Sequence, residues 1–368
     1  MNISRLSALS ASLHASGLDA LALNPGPSLA YLTGLRFHLS ERPVLTFFTA
    51  DRPPVIVLPE LEMLKLVGLP YEIKAFPYPE NPLEWDGYFK AAASFLSLEG
   101  RQIGVEPRAM RILEFGFIKK IAGETECPDA SAVVSRLRVH KDAGEVAAMR
   151  KAVQVAQEAL QATLPSIQAG VTEEAIAAEL FVQLLRHGSQ PELPFAPIVS
   201  GGSNGANPHA VPSGRKLQCG DLLVVDWGAA VDGMISDLTR TYAVCEAGPG
   251  LQKIHRIVQE ANAAGRAAAR PGEPCSAVDR AARGVIEKAG YGEYFTHRTG
   301  HGIGMEAHEE PYMRGDNEQP MEPGMAFTVE PGIYLPGRNG VRIEDNVVIT
   351  EQGAECLSDM PRELKVLG

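Results

Sequence analysis

Acidic residues interrupt apolar, strand-like segments at several places in the second half of the chain. These are Asp226 in DLLVVDWGAAV, Asp237 in MISDLTRTY, Glu330 in FTVEPGIY and Glu344 in GVRIEDNV. A lone carboxylate in a half-buried strand is costly unless it is paired or binds a metal ion. Asp237 follows Asp226 by eleven residues and Glu344 follows Glu330 by fourteen. This spacing predicts that each pair lies on consecutive strands, where two carboxylates can meet.

His301, in the segment GHGIG, adds an imidazole to these carboxylates. Several negative charges in one pocket would raise one another's pKa values, so the set requires a cationic partner. Two divalent ions supply about the right charge, and an oxygen-rich set with one nitrogen and no thiolate suits Mn²⁺, Co²⁺ or Zn²⁺. The alternative is that the acids form separate ion pairs with Arg240 and Arg342, and the residues alone leave it open.

The segment 299–311, TGHGIGMEAHEEP, also partly matches other motifs. It departs from the dinucleotide fingerprint because Met305 stands where the third glycine is required. It departs from the zincin motif because the second histidine is missing and Pro311 would break the helix. Residues 201–205, GGSNG, match the serine-hydrolase elbow around Ser203, but the prolines that follow favour a glycine-rich turn. A serine hydrolase is therefore only a remote alternative.

The chain contains several motifs that together resemble a family signature. They are the two aspartates with ten residues between them, GHGIG with HEEP, TVEPGIY and RIED. The signature is that of the creatinase/aminopeptidase superfamily, peptidase family M24, which has the pita-bread fold. The similarity is strongest to the X-Pro branch, aminopeptidase P and prolidase, and covers the chain from about residue 135. The N-terminal region, with YLTG at 31–34, also resembles that branch. The resemblance implies an N-terminal α/β creatinase-like domain at 1–130 and a pita-bread metallopeptidase domain at 131–368.

The resemblance also implies which residues bind metal. Two divalent ions, with Mn²⁺ expected first and Co²⁺ or Zn²⁺ as alternatives, would be held by five residues: Asp226 on one ion, Asp237 and Glu344 bridging both, and His301 with Glu330 on the other. A water activated by the ions would be the nucleophile, and Glu330 would accept its proton.

Other matching residues would contact the substrate. His308 would face the peptide and stabilise the tetrahedral intermediate, and His209 in NPHAVPSG would be another substrate-side histidine. For His209 the residues alone support a loop-anchoring role equally well. Arg342 would orient Glu344 or contact the substrate, whereas Tyr31 is expected to be a packing residue.

Periodic patterns predict the elements that position these residues. Asp142 with Glu145 three residues later predicts a capping box at the start of a long helix. The other helices are predicted near 3–16, 86–98, 110–123, 172–187, 250–269 and 276–289. Strand candidates separated by hairpin-length connections predict an α+β fold for the C-terminal region rather than a doubly wound sheet.

Composition excludes several classes of protein. The 368 residues carry a net charge of −11 without clustered Lys and Arg, which argues against nucleic-acid binding. No apolar run approaches the roughly 20 residues of a membrane span, and the N-terminus lacks the apolar region of a signal peptide. The five cysteines are scattered and never in CxxC spacing. These features predict reduced thiols and a cytoplasmic protein without nucleic-acid or membrane partners.

Comparison within the superfamily refines the expected activity. A non-enzymatic scaffold is disfavoured because every ligand position is filled, and methionine aminopeptidases usually lack an N-terminal domain of this length. We therefore expect a homodimeric exopeptidase acting on short peptides with proline at the second position. Tyr312 stands where some prolidases carry an arginine, and Arg314 lies two residues beyond that position. This favours aminopeptidase P, with the Xaa-Pro dipeptidase (prolidase) as the alternative.

Overall fold

The computed structural model describes residues 2–368. The chain divides into two compact units, Met1–Arg138 and Val139–Gly368. The helices are α1 Asn2–Ser16, α2 Pro27–Thr33, α3 Pro82–Leu96, α4 Ile112–Ala122, α5 Ser131–Arg138, α6 Ala143–Thr163, α7 Glu173–Arg186, α8 Pro249–Ala268 and α9 Ser276–Lys288.

The strands of the first unit are β1 Ala20–Leu23, β2 Leu45–Phe48, β3 Val55–Pro59, β4 Lys74–Tyr78 and β5 Ile103–Gly104. Those of the second are β6 Ile198–Gly201, β7 Leu222–Trp227, β8 Ala230–Val231, β9 Met234–Ile235, β10 Leu238–Val244, β11 Gly300–Gly302, β12 Glu309–Met313, β13 Ala326–Val329, β14 Gly332–Leu335, β15 Asn339–Arg342, β16 Asp345–Thr350, β17 Gly353–Cys356 and β18 Val366–Leu367.

The first unit is built on a mixed sheet in the order β4-β3-β2-β1-β5. Strands β1, β2 and β3 are short, largely apolar segments in which every residue is buried. Helices α3 and α4 cover the sheet, and Phe89 stacks on Phe117 with ring centroids 4.0 Å apart. Tyr31 is 7 % exposed and donates from its hydroxyl to Leu137 O at 2.5 Å, so it both packs and hydrogen-bonds.

The second unit contains two larger sheets, in the orders β18-β10-β7-β6 and β12-β11-β13-β16-β17. Helices α6 and α7 bury their apolar faces against the first of these sheets. Helix α6 begins with the expected capping box, in which Asp142 accepts from the backbone of Glu145 and Glu145 accepts in return. Helices α8 and α9 pack on each other and on β14 and β15. The α+β class expected from the sequence is confirmed.

Two predicted strands are interrupted at the acidic residues they carry. The strand-like segment FTVEPGIY divides into β13 and β14 at Glu330, and the segment GVRIEDNV divides into β15 and β16 at Glu344. Strands β14 and β15 pair with each other in a two-stranded sheet, whereas β13 and β16 pair within the larger sheet. Each glutamate therefore lies where its chain leaves one sheet for another, with its backbone outside a regular ladder.

The prediction that all five cysteines are free is wrong for one pair. Cys219 and Cys245 form a disulfide with an S–S distance of 2.04 Å and Cα atoms 5.0 Å apart. The antiparallel pairing of β7 with β10 brings the residues flanking these strands together, although they are 26 positions apart in sequence. Cys127, Cys275 and Cys356 are free. Across residues 2–368, no helix combines the length and the apolar character that crossing a membrane requires.

Candidate metal centre

A cavity of about 1170 Å³ in the second unit gathers every site residue predicted from the sequence. It is lined by side chains that come from both larger sheets and from the loops between their strands: His209, Asp226, Asp237, His301, His308, Glu330, Arg342 and Glu344. The polar residues that interrupt distant apolar segments are thus neighbours in space. Residues that are far apart in the sequence meet here because the strands β7, β10, β11, β13 and β15 carry or flank them and all border this cavity.

Asp226 is held in place by a buried guanidinium. Arg342 donates from Nη2 to Asp226 Oδ2 at 2.6 Å, and its side chain is only 4 % exposed. The other carboxylate oxygen, Oδ1, is buried and has no hydrogen-bond partner among residues 2–368. A buried acceptor without a partner is costly. Asp226 therefore keeps one oxygen available for a cationic ligand that the protein's own groups do not supply.

Asp237, His301 and Glu344 form a cluster whose ligand atoms all lie within 4.8 Å of one another. His301 Nε2 lies 3.8 Å from Asp237 Oδ2 and 3.2 Å from Glu330 Oε1. His301 Nδ1 lies 3.2 Å from Gly302 O, which can only accept a hydrogen bond. In the neutral imidazole the proton is therefore on Nδ1, and Nε2 presents its lone pair to the carboxylates, as a metal ligand does.

The protein alone does not balance the negative charge in this cluster. Burial, followed by the charges of Glu344 and Asp226, raises the pKa of Asp237 well above its ordinary value. Burial, followed by the charges of Glu330 and Asp226, raises the pKa of Glu344 in the same way. Arg342 is the nearby cation, and within residues 2–368 it forms an ion pair with Asp226 alone.

The alternative of separate ion pairs fails for most of these acids. Arg240 pairs with Asp345, at 2.9 Å, rather than with a cavity residue. Among residues 2–368, Asp237, Glu330 and Glu344 have no lysine or arginine ion-pair partner. The site instead fits a hard or borderline divalent metal ion. It offers a buried oxygen of Asp226 without a partner among the described residues, excess carboxylate charge and an available imidazole nitrogen.

Several residues that orient these ligands were not predicted from the sequence. Thr239 donates from Oγ1 to Glu344 Oε2 at 2.7 Å and accepts from Arg342 Nε at 3.1 Å. Asn346 accepts from the backbone N–H of Asp237 and donates to its carbonyl, at 3.1 and 2.6 Å. Each lies two residues after a predicted site residue and is a polar residue in a buried strand, which was the available signal.

A hydrogen-bonded chain continues from Arg342 to a half-buried histidine, His297. Arg342 Nη1 donates to the hydroxyl of Tyr334 at 2.9 Å, and that hydroxyl lies 2.9 Å from His297 Nε2. His297 Nδ1 lies 2.7 Å from Arg298 O and must donate to it, so Nε2 accepts from Tyr334. Burial raises the pKa of Tyr334 to about 12, which keeps its hydroxyl protonated and able to donate.

The glycines beside His301 serve the sheet rather than the cavity. A Cβ on Gly300 would lie 1.9 Å from Thr328 O, and one on Gly302 would lie 2.2 Å from Glu310 O. Their absence lets β11 insert between β12 and β13. Glycine is therefore required at both positions by close contact between neighbouring strands.

His308 and His209 are exposed side chains that line the cavity. The His308 ring lies 4.1 Å from the His301 ring in an edge-on contact. Partial burial, followed by the charges of His301 and Arg298, lowers the pKa of His308 to about 4. His209 lies on a loop whose Pro208 carbonyl accepts from Arg342 Nη1 at 3.3 Å. Ser203 is exposed on a 3₁₀ turn and does not line the cavity, contrary to a serine-hydrolase site.

A cationic side chain that the sequence analysis overlooked lies in the same cavity. The guanidinium of Arg298 lies 4.4 Å from the centre of the Tyr312 ring and stacks on it. It has no carboxylate partner within ion-pair distance in the part of the chain that the structure describes. The neighbouring Arg283 and Arg314, by contrast, pair with Asp279 and Asp316.

Comparisons with known proteins agree with this geometry. Residues 147–351 match the model of metallopeptidase family M24, and residues 5–140 match that of the creatinase/prolidase N-terminal domain. The chain is 37 % identical to the probable dipeptidase PepE of Mycobacterium tuberculosis over 99 % of this chain and 96 % of the relative. It is 32 % identical to an Xaa-Pro dipeptidase of Lactobacillus delbrueckii subsp. lactis over 96 % of each chain.

A solved structure shows the same architecture. The recombinant prolidase from Thermococcus sibiricus superimposes with a TM-score of 0.94 at 33 % identity, covering 100 % of this chain and 99 % of that one. The pita-bread fold with a creatinase-like N-terminal domain, expected from the sequence motifs, is thereby confirmed. The chain belongs to metallopeptidase family M24 and is a metal-dependent exopeptidase.

Proposed function

We propose that this protein hydrolyses Xaa-Pro dipeptides, cleaving the bond between the N-terminal residue and proline. Tyr312, which stands where some prolidases carry an arginine, favours aminopeptidase P when the sequence is considered alone. The relatives named as dipeptidases support the alternative better. The observation that carries the proposal is Arg298, a cavity-lining cation without a carboxylate partner among the described residues.

We assign the metal site to Asp226, Asp237, His301, Glu330 and Glu344, holding two divalent ions, with Mn²⁺ preferred over Co²⁺ or Zn²⁺. Ions in this site would lower the pKa of a water molecule and polarise the scissile carbonyl. Glu330 lies 3.2 Å from His301 and lines the cavity, which supports its assignment as the group that accepts the proton of the water and passes it to the departing proline nitrogen.

His308 and His209 supply the hydrogen bonds to the substrate. Both line the cavity with exposed imidazoles, and His308 is next to His301. A donor beside the scissile carbonyl stabilises the negative charge that develops on its oxygen, and this is the role we assign to His308. His209 would contact the peptide, and Arg342 orients Asp226 and, through Thr239, Glu344.

Arg298 is the group that would receive the carboxylate of the proline. A guanidinium without a carboxylate partner among the described residues can bind a substrate carboxylate through charge-assisted hydrogen bonds, and the Tyr312 ring lies beneath this one at 4.4 Å. In a longer peptide the residue after proline would replace this carboxylate with an amide, which lacks the charge. Pairing with Arg298 thus favours a dipeptide over a longer substrate.

The test compares Ala-Pro, Ala-Pro-amide and Ala-Pro-Ala-Ala on protein loaded with Mn²⁺. We expect kcat/KM for Ala-Pro to exceed that for the amide by ten-fold or more, because a charge-assisted contact contributes about 1.5–3 kcal/mol. Arg298→Gln should remove most of this difference. The control Arg314→Gln changes an arginine of the same cavity that is already paired with Asp316.

Two outcomes would contradict the proposal. Equal or faster cleavage of the tetrapeptide by the unaltered protein would restore aminopeptidase P as the better assignment. Absence of hydrolysis of all three substrates would reject Xaa-Pro specificity, while leaving family membership untouched.

We also propose, from the family resemblance, that the protein is a homodimer and that it functions in the cytoplasm. Light scattering during size-exclusion chromatography distinguishes a dimer from the 39.5 kDa monomer. Cell fractionation with a specific antibody tests the location. A monomer, or a protein recovered outside the cytoplasm, would contradict the corresponding proposal.

A further inference from the structure

Lys141 and Glu309 form a buried ion pair beside the cavity, although neither side chain lines it. Lys141 Nζ lies 2.5 Å from Glu309 Oε1, and the two side chains are 1 % and 8 % exposed. Lysine is almost never this deeply buried unless it is paired. Neither residue has a role in the metal site or in substrate binding as described above.

Stability alone does not account for such a pair. Desolvation of two charges offsets most of their attraction, and apolar residues of similar size are often as stabilising or more so. A buried ion pair does, however, fix the relative positions of the segments that carry it, because an unpaired charge left in the interior is strongly unfavourable.

Glu309 begins β12 immediately after His308. Glu309 is the register partner of Gly302 on β11, and the register shifts between His301 and Gly302. The chain between these partners, 303–308, therefore forms a loop that starts two residues after His301 and ends at His308. The position of Glu309 determines where this loop closes.

Gly304, at the other end of the loop, lies against the ion pair. A Cβ there would be 2.5 Å from Glu309 Oε1 and 2.9 Å from Lys141 Cε. The carbonyl of Gly304 accepts from Ile235 N at 2.9 Å. The ion pair thus contacts the outgoing and the returning arms of the 303–308 loop.

Lys141 is itself fixed to the sheet. Its backbone N–H donates to Gly324 O at 2.8 Å, and Gly324 N–H donates to Ile349 O of β16 at 2.9 Å. The residue before it, His140, forms a bridge with Met325. Because the backbone of Lys141 is fixed to the β13–β16 region, its ion pair with Glu309 restrains the 303–308 loop relative to that sheet.

We propose that the Lys141–Glu309 ion pair is a positioning device for His308: it fixes the 303–308 loop so that the His308 imidazole stays against His301 and faces the cavity. Lys141 and Glu309 act through His308 and do not touch substrate. This inference rests on the proposed function insofar as His308 serves hydrolysis, but the placement of His308 can be measured without activity.

The first test replaces both charges by apolar side chains of similar length, Lys141→Met with Glu309→Met. We expect the melting temperature to stay within a few degrees, metal content to stay unchanged and KM to change little. We expect kcat for Ala-Pro to fall ten-fold or more. The control removes an exposed pair, Arg150→Met with Glu355→Met, whose side chains are 50 % and 43 % exposed, and should leave kcat unchanged.

The second test asks whether the effect passes through His308. In a His308→Ala background the two Met substitutions should cause no further loss of kcat, since residues acting as a unit are not additive. The same fold-loss in both backgrounds, or no loss in either, would overturn the proposal.

Two measurements keep the proposal testable if the double Met variant does not fold or if Ala-Pro is not a substrate. Gly304→Ala retains both charges and displaces the Glu309 carboxylate, and it should reproduce the loss of kcat. A crystal structure of either folded variant should show the His308 ring displaced from its 4.1 Å contact with the His301 ring. An unmoved ring would refute the proposal whatever the substrate, whereas a displaced ring with no Xaa-Pro hydrolysis would refute only the proposed function.

Discussion

Arg342 binds one oxygen of Asp226, at 2.6 Å, while the other oxygen of that carboxylate is buried without a partner among residues 2–368. The same guanidinium contacts Thr239, which donates to Glu344. One arginine thus orients two carboxylates of the cluster, directly and through a hydroxyl, and leaves their remaining oxygens available.

We predict that Arg342→Gln weakens metal binding because it removes this orientation. Loss of a hydrogen-bond partner that orients a metal ligand typically lowers metal affinity by about 10- to 100-fold. Competition of Mn²⁺ against a fluorescent chelator measures the change. The control Arg338→Gln alters an exposed arginine of the β14–β15 turn and should leave affinity unchanged. Equal affinities of the Arg342 variant and the unaltered protein would contradict the assignment.

Removal of a central ligand should have a larger effect. Asp237→Asn and His301→Ala each delete a member of the tightest cluster, in which ligand atoms lie within 4.8 Å of one another. We expect metal content, measured by mass spectrometry after dialysis, to fall by at least half and hydrolysis of every peptide to be lost. Asp232→Asn, in an exposed turn of the same region, is the control. Wild-type turnover in either ligand variant would reject a metal mechanism at this site.

Glu173 holds the loop that carries His209. Its buried carboxylate accepts from Gly201 N at 2.8 Å, from Asn204 Nδ2 at 2.8 Å, and from both the backbone and the hydroxyl of Ser213 at 3.1 and 2.7 Å. We predict that Glu173→Gln places an amide donor against these donors and lowers the free energy of unfolding by about 2 kcal/mol.

Urea denaturation measures this loss, and steady-state kinetics should show a raised KM because the His209 loop becomes mobile. The adjacent Glu174 is exposed, so Glu174→Gln is a matched control that should change neither quantity. If both variants behave like the unaltered protein, the carboxylate does not hold the loop.

Features that depend on local sequence were predicted well, whereas features that depend on contacts with distant parts of the chain were not. Periodicity and the Asp142 cap located the helices because these signals are local. The acids were recognisable because a carboxylate in an apolar strand is exceptional. The end of each strand at Glu330 and Glu344 was missed, since it depends on pairing with strands elsewhere in the chain.

Residues that act through distant contacts left no such signal. Lys141 lies in a polar segment before α6, and only the fold brings it to Glu309, 168 positions away. Arg298 was overlooked because the expected cation was sought at position 312, whereas the structure stacks Arg298 on Tyr312 from the neighbouring strand region. The Cys219–Cys245 pairing likewise depends on the β7–β10 ladder.

The disulfide gives a prediction that is independent of activity. Oxidised protein, unfolded in guanidinium without reductant, should react with three equivalents of thiol reagent, because three of the five cysteines are free. Five equivalents should appear after reduction. Closing a chain segment of 26 residues is expected to stabilise the fold by about 3.5 kcal/mol. Five reactive thiols in protein purified without reductant would show that the pair is reduced.

His255 should make the fold sensitive to mild acid. It is 2 % exposed on α8, and burial lowers its pKa from 6.5 to about 4 despite a hydrogen bond to the Thr241 backbone. Between these values the unfolded chain binds a proton that the folded protein does not. Stability from this group is therefore fully present above pH 6.5 and is lost as the pH falls towards 4.

The contribution of His255 to the free energy of unfolding is about 2 kcal/mol smaller at pH 5 than at pH 7. We predict that His255→Gln lowers stability at pH 7 but removes this part of the acid sensitivity, because glutamine does not titrate. Urea denaturation at pH 7, 6 and 5 measures the slope for both proteins. His14→Gln, which changes an exposed histidine beside Asp51, should leave the slope unchanged. A His255 variant that loses as much stability between pH 7 and 5 as the unaltered protein would show that the acid sensitivity arises elsewhere.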